Sequence, residues 1–347
     1  MSAELRAMVL AAGAGTRLRP ISYETPKPMV PIANRPVLGH VLANLAKHGV
    51  KDVMLNLHSH PDQVRRYCGN GRKWGLNLRY SEEKKLLGTA GAVKKCESFF
   101  EGGPLLIMSG DGMSDIDITR FYRFHRDRKS FASQATKAVD ARFEYGIPVT
   151  GKRGRIKGFL EKPSWGDVLS NQVNTGIYIF EPGVFKHIPK GVYDFGHDLW
   201  PKLLKLKKPI FAWEWKGYWC DIGNLVEYRK CQQAALNGEI RIQLPGTLRR
   251  PGVRIEEGAQ VHPKAKLIAP CLIGKDARVG AGALIGPHTV LGAGARAEAN
   301  ATLKKCILFD RAYVGRGAFL ANTVLGVGCR VQANFAVHNA EILKSRN

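Results

Sequence analysis

Apolar residues follow two different periods along the chain, and the change between them falls near residue 240. In the first part, short apolar runs that are typical of buried parallel strands alternate with stripes of helical period. The clearest stripe occupies positions 37, 38, 41, 42 and 45, with Pro36 expected at the helix start and Gly49 just after its end. The expected strands are 7–12, 53–57, 78–80, 105–108, 175–180 and 210–215, and further helices are expected near 90–100, 116–129 and 197–207. This alternation predicts an α/β domain over residues 1–240, with a mainly parallel sheet and ligands at the carboxyl ends of its strands.

Beyond residue 250 the apolar period becomes six. Aliphatic residues recur at Ile255, Val261, Leu267, Ile273, Val279, Ile285, Leu291, Ala297 and Leu303, resume at Leu308, Val314 and Leu320, and then shift by one to Leu325, Val331 and Val337. A hexapeptide period is that of a parallel β-helix, whose flat faces stack aliphatic side chains inwards. The sequence therefore predicts a second domain of hexapeptide repeats over residues 241–347.

A glycine-rich and basic segment follows the first apolar run. Gly13 and Gly15 lack a Cβ atom, so backbone N–H groups of a tight turn can approach phosphate oxygens. Arg17 and Lys27 add positive charge, and the prolines on both sides of Lys27 restrict its backbone. The segment has neither the P-loop pattern nor the third glycine of the dinucleotide fingerprint, where Leu18 stands instead. It predicts a triphosphate site of another kind.

Two aspartates are candidates for acidic ligands near this site. Asp111 follows the buried run 105–108 and should emerge at the carboxyl edge of the sheet, while Asp221 lies among aromatic and apolar neighbours. A buried carboxylate needs a partner, and two carboxylates together with substrate oxygens suit a hard cation such as Mg²⁺. Spacing alone leaves open whether Asp111 is a metal ligand or a helix cap, and whether Glu161-Lys162-Pro163 is more than a solvated turn.

The segment from Gly13 to Pro20, followed by Pro26-Lys27-Pro28, resembles the signature of the nucleoside-diphosphate-sugar pyrophosphorylases, also called sugar-1-phosphate nucleotidyltransferases. The resemblance covers nearly the whole chain. It implies a Rossmann-like nucleotidyltransferase domain followed by a left-handed β-helix through which the chain forms a homo-oligomer. It also implies Mg²⁺ as the cofactor, bound by Asp111 and Asp221.

The same resemblance implies roles for individual residues. The catalytic set is Arg17, Lys27, Asp111, Lys162 and Asp221. The nucleotide-binding set is Leu10, Ala12, Gly13, Gly15, Thr16, Arg17, Glu82, Gly88 and Thr89. The set that binds the sugar phosphate is Gly146, Glu161, Lys162, Asn174 and Thr175, whereas Asp194 and Asp198 are expected to be structural.

The segment 80–92, which contains LGTAG, resembles the base-contacting loop of the mannose-1-phosphate guanylyltransferase branch, although Leu87 stands where the family often has Pro. This implies transfer of GMP from GTP to mannose 1-phosphate, with release of pyrophosphate. The alternatives are another nucleotide (ATP, UTP or dTTP), another acceptor (a glucose, heptose or cyclitol phosphate), a non-catalytic regulatory subunit, or a second acyltransferase activity in the β-helix, with His262, His288 or His338 as its base.

The composition limits the remaining classes of function. The 347 residues carry a net charge of +24, but the excess is spread over both halves and no nucleic-acid motif accompanies it, so a nucleic-acid partner is not expected. No apolar run of 18 residues and no signal peptide is present, and the seven cysteines form no CxxC pair. We therefore expect a cytoplasmic protein with reduced thiols and no membrane partner.

Overall fold

The computed structural model describes residues 5–13, 15–23, 25–139, 145–162 and 170–343 of the chain. Contacts group the chain into two units. The first unit comprises Met1–Ala14, Pro26–Met29 and Val37–Asp221. The second comprises Gly15–Thr25, Val30–Pro36 and Ile222–Asn347. The domain boundary between residues 240 and 241 stays a prediction.

A seven-stranded sheet forms the centre of the first unit. In sheet order its strands are Ile210–Glu214, Ala132–Ala138, Gln172–Phe180, Leu105–Ser109, Arg6–Leu10, Asp52–Leu57 and Asn77–Glu82. Only Gln172–Phe180 runs antiparallel to its neighbours; all other pairings in this sheet are parallel. The prediction of a mainly parallel sheet is confirmed.

Helices cover both faces of this sheet. Alternate residues of the first strand enter different apolar clusters: Ala7 and Val9 pack with one set of helices, and Met8 packs with the other. The α-helices of the first unit are Val37–Lys47, Pro61–Cys68, Gly88–Lys95, Ile118–Asp127 and Trp200–Lys205. Short 3₁₀-helices are Lys27–Met29, Arg72–Trp74, Glu97–Phe100, Lys152–Gly154 and Pro182–His187, and Phe195–Leu199 is a single π-turn. No helix in the described ranges is long and apolar enough to cross a bilayer.

Two small antiparallel ribbons accompany the main sheet of the first unit. Gly112–Ser114 pairs with Trp219–Asp221, and Ile147–Thr150 pairs with Ile156–Leu160. Each ribbon carries candidate site residues at one end. They therefore bring together residues that are distant in the sequence.

The second unit contains the helix Leu225–Asn237 and the short hairpin formed by Pro31–Ile32 and Arg35–Pro36. The buried side chain of Gln232 accepts a hydrogen bond from Ala33 N at 2.8 Å and donates one to Pro31 O at 2.9 Å. The 3₁₀-helices Thr16–Leu18 and Ile21–Tyr23 also belong to this unit.

The hexapeptide period builds three stacked parallel sheets in the second unit, which fit a β-helix. The first sheet contains Thr247–Arg250, Val253–Ile255, Cys271–Ile273, Thr289–Leu291, Ile307–Leu308, Val324–Leu325 and Glu341–Ile342, of which Thr247–Arg250 alone is antiparallel to its neighbour. The second contains Gln260–Val261, Arg278–Val279, Arg296–Ala297, Tyr313–Val314 and Arg330–Val331. The third contains Lys266–Leu267, Leu284–Ile285, Thr302–Lys304, Phe319–Ala321 and Ala336–His338. Every aliphatic position of the predicted period belongs to one apolar cluster between these sheets.

The irregularities in the period all fall at the same corner of the coil, between the third sheet and the first. The step from Ile285 to Leu291 is six residues, whereas the step from Leu303 to Leu308 is five. Leu291 nevertheless pairs directly with Leu308. The later coils keep the shorter corner, and the left-handed residue of this corner recurs as His288, Lys305, Asn322 and Asn339. One residue is therefore lost in a turn without moving the stacked side chains.

Candidate active site

Asp111 and Asp221 lie next to each other because a ribbon joins the segments that carry them. The strand Leu105–Ser109 ends in Gly110, whose N–H donates to Leu10 O at 2.9 Å and so holds the next residue at the edge of the sheet. Asp221 is the register partner of Gly112, the residue after Asp111. The carboxyl end of the strand and the ribbon thus place both carboxylates in one site, as the sequence predicted for Asp111.

Lys27 bridges the two carboxylates. Its Nζ lies 2.7 Å from Asp111 Oδ2 and 2.9 Å from Asp221 Oδ1, and only 7% of the residue is exposed. Burial lowers the pKa of Lys27, but the charges of Asp111 and Asp221 offset this, and the pKa is raised above 10.5. Burial likewise raises the pKa of Asp111, but the ammonium of Lys27 and hydrogen bonds from Lys27 and Ser109 lower it below 3.8. Lys27 and Asp111 are therefore charged at neutral pH.

The residues around Lys27 fit a hard divalent cation. Two carboxylates converge on one positive charge, which is the arrangement that a metal ion would use. Within the described ranges, no group of three or more His, Cys, Asp or Glu side chains could hold a metal. A cation here would therefore take two protein carboxylates and complete its coordination with substrate or water oxygens, as Mg²⁺ does in phosphoryl-transfer sites.

The glycine-rich segment after the first strand lies partly in each unit. Leu10 and Ala12 belong to the first unit, and a Cβ atom on the exposed Gly13 would meet no atom within 4 Å. Backbone N–H groups here are therefore open to a close ligand. Gly15, with φ of 62°, opens the turn Thr16–Leu18 in the second unit, where the side chains of Thr16 and Arg17 are exposed.

The loop after the edge strand Asn77–Glu82 is held by a buried carboxylate that the sequence analysis did not select. Glu83 is 3% exposed and accepts hydrogen bonds from Asn56 Nδ2 at 2.7 Å and from Leu87 N at 3.0 Å. The Asn56 side chain also accepts from Ala11 N at 2.8 Å, next to the glycine-rich segment. Glu82, the residue named from the sequence, is exposed and pairs with Arg65 at 2.9 Å. Through Asn56, Glu83 therefore links the loop after the edge strand to the glycine-rich segment, and both are candidates for nucleotide binding. The feature of the sequence that could have indicated this link is the polar Asn56 inside an apolar strand.

Gly88 and Thr89 begin the helix Gly88–Lys95 and pack on the segment around Asp194. Gly88 has φ of +72°, and a Cβ there would lie 2.5 Å from Tyr193 O, so only glycine fits. Thr89 Oγ1 donates to Asp194 Oδ2 at 2.7 Å and accepts from Phe195 N at 2.9 Å. Asp194 also caps the turn Phe195–Leu199 with its other oxygen, which agrees with the structural role expected for it.

Three of the candidates for sugar-phosphate binding lie together beside Asp194. A Cβ on Gly146 would lie 2.6 Å from Glu161 Oε2, and Gly146 O accepts from Asn174 N at 2.8 Å. Burial and the charge of Asp194 raise the pKa of Glu161, while His197 and Lys162 act in the opposite direction. A half-buried carboxylate of this kind can accept hydrogen bonds from sugar hydroxyls.

Of the two remaining candidates, Thr175 is buried and Lys162 is exposed. Thr175 Oγ1 donates to Ala135 O at 2.7 Å, so its side chain supports the sheet. Lys162 directly follows Glu161 and has φ of 46°. Pro163 of the same motif lies outside the described residues.

Comparisons with known proteins identify the family and the relatives of this chain. Residues 6–238 match the family described as Nucleotidyl transferase, and residues 267–346 match the family described as GMPPB C-terminal domain. A UTP–glucose-1-phosphate uridylyltransferase of Synechocystis sp. is 35% identical over 338 residues, which cover 92% of this chain and 87% of the relative. A mannose-1-phosphate guanylyltransferase catalytic subunit beta of Drosophila pseudoobscura pseudoobscura is 30% identical over 350 residues, which cover 99% and 93% of the two chains.

A solved structure from Bacillus anthracis, named as a glucose-1-phosphate thymidylyltransferase, matches 67% of this chain and 95% of its own with a TM-score of 0.61. Its sequence identity is 24%, so the likeness concerns the fold alone. The family match extends over most of the first unit and includes Lys27, Asp111 and Asp221. The chain belongs to the nucleotidyl transferase family, among the sugar-1-phosphate nucleotidyltransferases.

Proposed function

We propose that this protein transfers GMP from GTP to mannose 1-phosphate with the help of Mg²⁺, giving a nucleoside-diphosphate sugar and pyrophosphate. The observation that carries the proposal is the cluster of Lys27, Asp111 and Asp221 at the carboxyl edge of the sheet. The LGTAG segment and the match of residues 267–346 to the GMPPB C-terminal domain favour guanylyl transfer. Guanylyltransferases for mannose 1-phosphate also occur among the relatives.

The reaction needs positioning and charge rather than a covalent intermediate. An oxygen of the sugar phosphate attacks the α-phosphorus of the nucleotide in line, the bond to the β-phosphate oxygen breaks, and pyrophosphate leaves. No general base is required, because a phosphate monoester is already ionised at neutral pH. Lys27, which stays charged, and Lys162 would draw the two anionic substrates together, and Arg17 would neutralise the departing phosphates.

Asp111 and Asp221 would hold Mg²⁺, which supplies charge neutralisation at the phosphoryl oxygens when it is bound. The glycines of residues 13–15 would contact the triphosphate through backbone N–H groups, and the loop held by Glu83 would contact the base. Glu161 and Asn174 would receive the sugar. Asp194 would link the nucleotide-binding residues to the sugar-binding residues, since it accepts a hydrogen bond from Thr89 and its charge raises the pKa of Glu161.

Uridylyl transfer to glucose 1-phosphate is the second candidate. The uridylyltransferase of Synechocystis sp. is 35% identical to this chain, a higher identity than that of the guanylyltransferases reported above. Both reactions use the same phosphate and metal groups. The two reactions differ in the base that the loop 82–89 would contact and in the sugar hydroxyl groups that Glu161 and its neighbours would contact.

Pyrophosphate release tests the proposal. Purified protein with Mg²⁺ would be assayed with five nucleoside triphosphates, each crossed with mannose, glucose and heptose 1-phosphates. A dominant rate with GTP and mannose 1-phosphate supports the proposal, and a dominant rate with UTP and glucose 1-phosphate supports the second candidate. Absence of turnover with every pair would indicate either an acceptor outside this panel, such as a cyclitol phosphate, or a regulatory subunit.

Asp111→Asn links the activity to the site. The substitution keeps the shape of the side chain but removes its charge, so Mg²⁺-dependent turnover should fall by at least about 100-fold while the protein stays folded. Asp52→Asn is the matched control, because Asp52 lies on the same sheet and its side chain accepts a hydrogen bond from Asn77 Nδ2 at 3.1 Å. Retained activity in Asp111→Asn would remove Asp111 from the metal site.

We also propose that the repeat region is a left-handed parallel β-helix that holds the protein in a homo-oligomer, with the enzyme acting in the cytoplasm. The three parallel sheets and their shared aliphatic core support the β-helix. All seven cysteines are buried and none of them forms a disulfide, which suits a reducing compartment. Light scattering coupled to size-exclusion chromatography would test the oligomer, and a monomer at micromolar concentration would contradict it.

A further inference from the structure

Four basic segments of the first unit meet at one end of its sheet. Residues 126–131, 151–157, 181–190 and 200–209 contain 13 Lys and Arg but only two acidic residues, and so account for +11 of the net charge of +24. Phe131 N donates to Pro209 O at 2.8 Å, and Arg155 Nη2 donates to Lys208 O at 2.8 Å. The ring of His187 lies 5.7 Å from that of Phe131. Nearly half of the net charge, which the sequence distributes over four separate segments, is thus brought together here.

This end of the sheet is opposite to the candidate active site. The strands Ala132–Ala138 and Ile210–Glu214 begin directly after the basic segments, and both run in the same direction as Leu105–Ser109. Asp111 follows the carboxyl end of Leu105–Ser109. The basic segments lie at the other edge, where Ala132–Ala138 and Ile210–Glu214 begin and the antiparallel strand Gln172–Phe180 ends. The chemistry proposed above therefore makes no use of these cations.

Three of the four arginines of the region are engaged in local contacts, whereas Arg153 is exposed. Arg128 and Arg155 lie over the ring of Phe211, at 6.0 Å and 5.3 Å from its centroid. Arg126 lies 3.7 Å from the carboxylate of Glu181. Because guanidinium groups provide the planar, paired hydrogen bonds of base and phosphate recognition, their engagement leaves little of that recognition to offer.

The lysines carry the available charge. We call Lys186, Lys202, Lys205, Lys207 and Lys208 the lysine face; within the described ranges none of them makes an ion pair, and all except the half-buried Lys208 are exposed. Lys202 Nζ donates to His187 O at 2.9 Å and Lys208 Nζ lies 4.8 Å from the centroid of the Phe131 ring, so Lys186, Lys205 and Lys207 have the most available charge. Burial and the charges of Lys208, Lys202 and Lys186 lower the pKa of His187, so all three lysines lie near this one side chain. Leu206, in the middle of the lysines, is 48% exposed.

We propose that the lysine face docks the protein on an anionic lipid surface. Lysines are point charges that suit a delocalised layer of negative headgroups, and an exposed aliphatic side chain between them gains free energy at the headgroup boundary. A nucleic acid backbone provides no apolar environment in which Leu206 could be buried. The rings of Phe131 and Phe211 are covered by cations, so they are not open for stacking on bases. The sequence alone predicted no membrane partner, because it did not show that these segments converge.

Co-sedimentation with vesicles tests the docking surface. The full-length protein should bind vesicles of 70% phosphatidylcholine and 30% phosphatidylglycerol, should not bind pure phosphatidylcholine, and should be released by 0.5 M NaCl. Each lysine should contribute a factor of about five to the affinity for anionic vesicles. The triple variant Lys186→Gln, Lys205→Gln, Lys207→Gln should therefore bind these vesicles about 100-fold more weakly than the wild type. Its pyrophosphate release in solution should match that of the wild type, because the active site lies at the other end of the strands.

A matched control separates the surface from net charge. The variant Lys264→Gln, Lys266→Gln, Lys275→Gln loses the same charge from exposed positions of the repeat region and should bind vesicles within about threefold of the wild type. Equal losses in both variants would overturn the proposal, as would absence of vesicle binding by the wild type. Binding of single-stranded RNA that the first variant abolishes, without vesicle binding, would assign the surface to nucleic acid and overturn it as well.

Discussion

Replacing Lys27 by Met should destabilise the first unit, because it leaves two neighbouring carboxylates without their shared cation. Removing one partner of a buried ion pair costs about 3–5 kcal/mol. The side chain of Lys27 is 8% exposed, but those of Asp111 and Asp221 are 25% and 19% exposed, so solvent screens part of the repulsion. We therefore expect a loss of about 2–3 kcal/mol, or a fall in Tm of about 5–10 °C.

Calorimetry with and without Mg²⁺ checks this reasoning. In Lys27→Met the divalent cation would replace the ammonium, so saturating Mg²⁺ should restore most of the lost stability, and should stabilise the wild type less. The variant that also carries Asp111→Asn and Asp221→Asn should regain stability without Mg²⁺, because no charge is left unpaired. A Lys27→Met protein with unchanged Tm, or one whose lower Tm does not respond to Mg²⁺, would refute the proposed electrostatics.

Three further predictions follow from the same structure. The pKa of Asp111 is lowered, so its contribution to stability is complete above about pH 4 and is lost as pH falls through the folded pKa; the urea midpoint of the wild type should drop more between pH 4 and 2 than that of Asp111→Asn. Glu161→Gln should raise the KM for the sugar phosphate about 10- to 100-fold and leave the KM for the nucleotide unchanged in initial-rate assays, and an equal change in both constants would exclude a sugar contact. Leu303→Ala, at a fully buried position of the repeat core, should cost about 2–5 kcal/mol in chemical denaturation, whereas the exposed Arg296→Ala should cost less than about 0.5 kcal/mol.

Much of the fold could be predicted because burial imposes period and length. The strand Leu105–Ser109 is buried except at its last residue and reads as an apolar run, and the aliphatic residues of the six-residue period all enter one core. The strand Ala132–Ala138 was not predicted, because Ser133, Gln134 and Thr136 are polar although they are buried. Its place in the sheet depends on its neighbours in space rather than on its own pattern.

The candidate site was predictable as a set of residues but not as a geometry. Lys27 lies 84 positions from Asp111 and 194 from Asp221, and nothing local indicates that one ammonium joins them. Glu83 was passed over for a similar reason, since its neighbour Glu82 has the same chemistry and only the fold decides which of the two is buried. Residue type selects candidates, whereas long-range pairing decides which of them meet.

The corner that shortens from six residues to five also shows where the repeat region tolerates a change in chain length. Leu291 and Leu308 stay paired across the shorter corner, so the number of residues there is independent of the stacked core. A deletion inside a two-residue strand such as Arg296–Ala297 would instead turn a charged side chain inwards and shift every later pairing of that coil. A change of one residue should therefore be tolerated at this corner, whereas a longer insertion at Asn322 would displace the carbonyl to which Arg229 Nη2 donates at 3.3 Å.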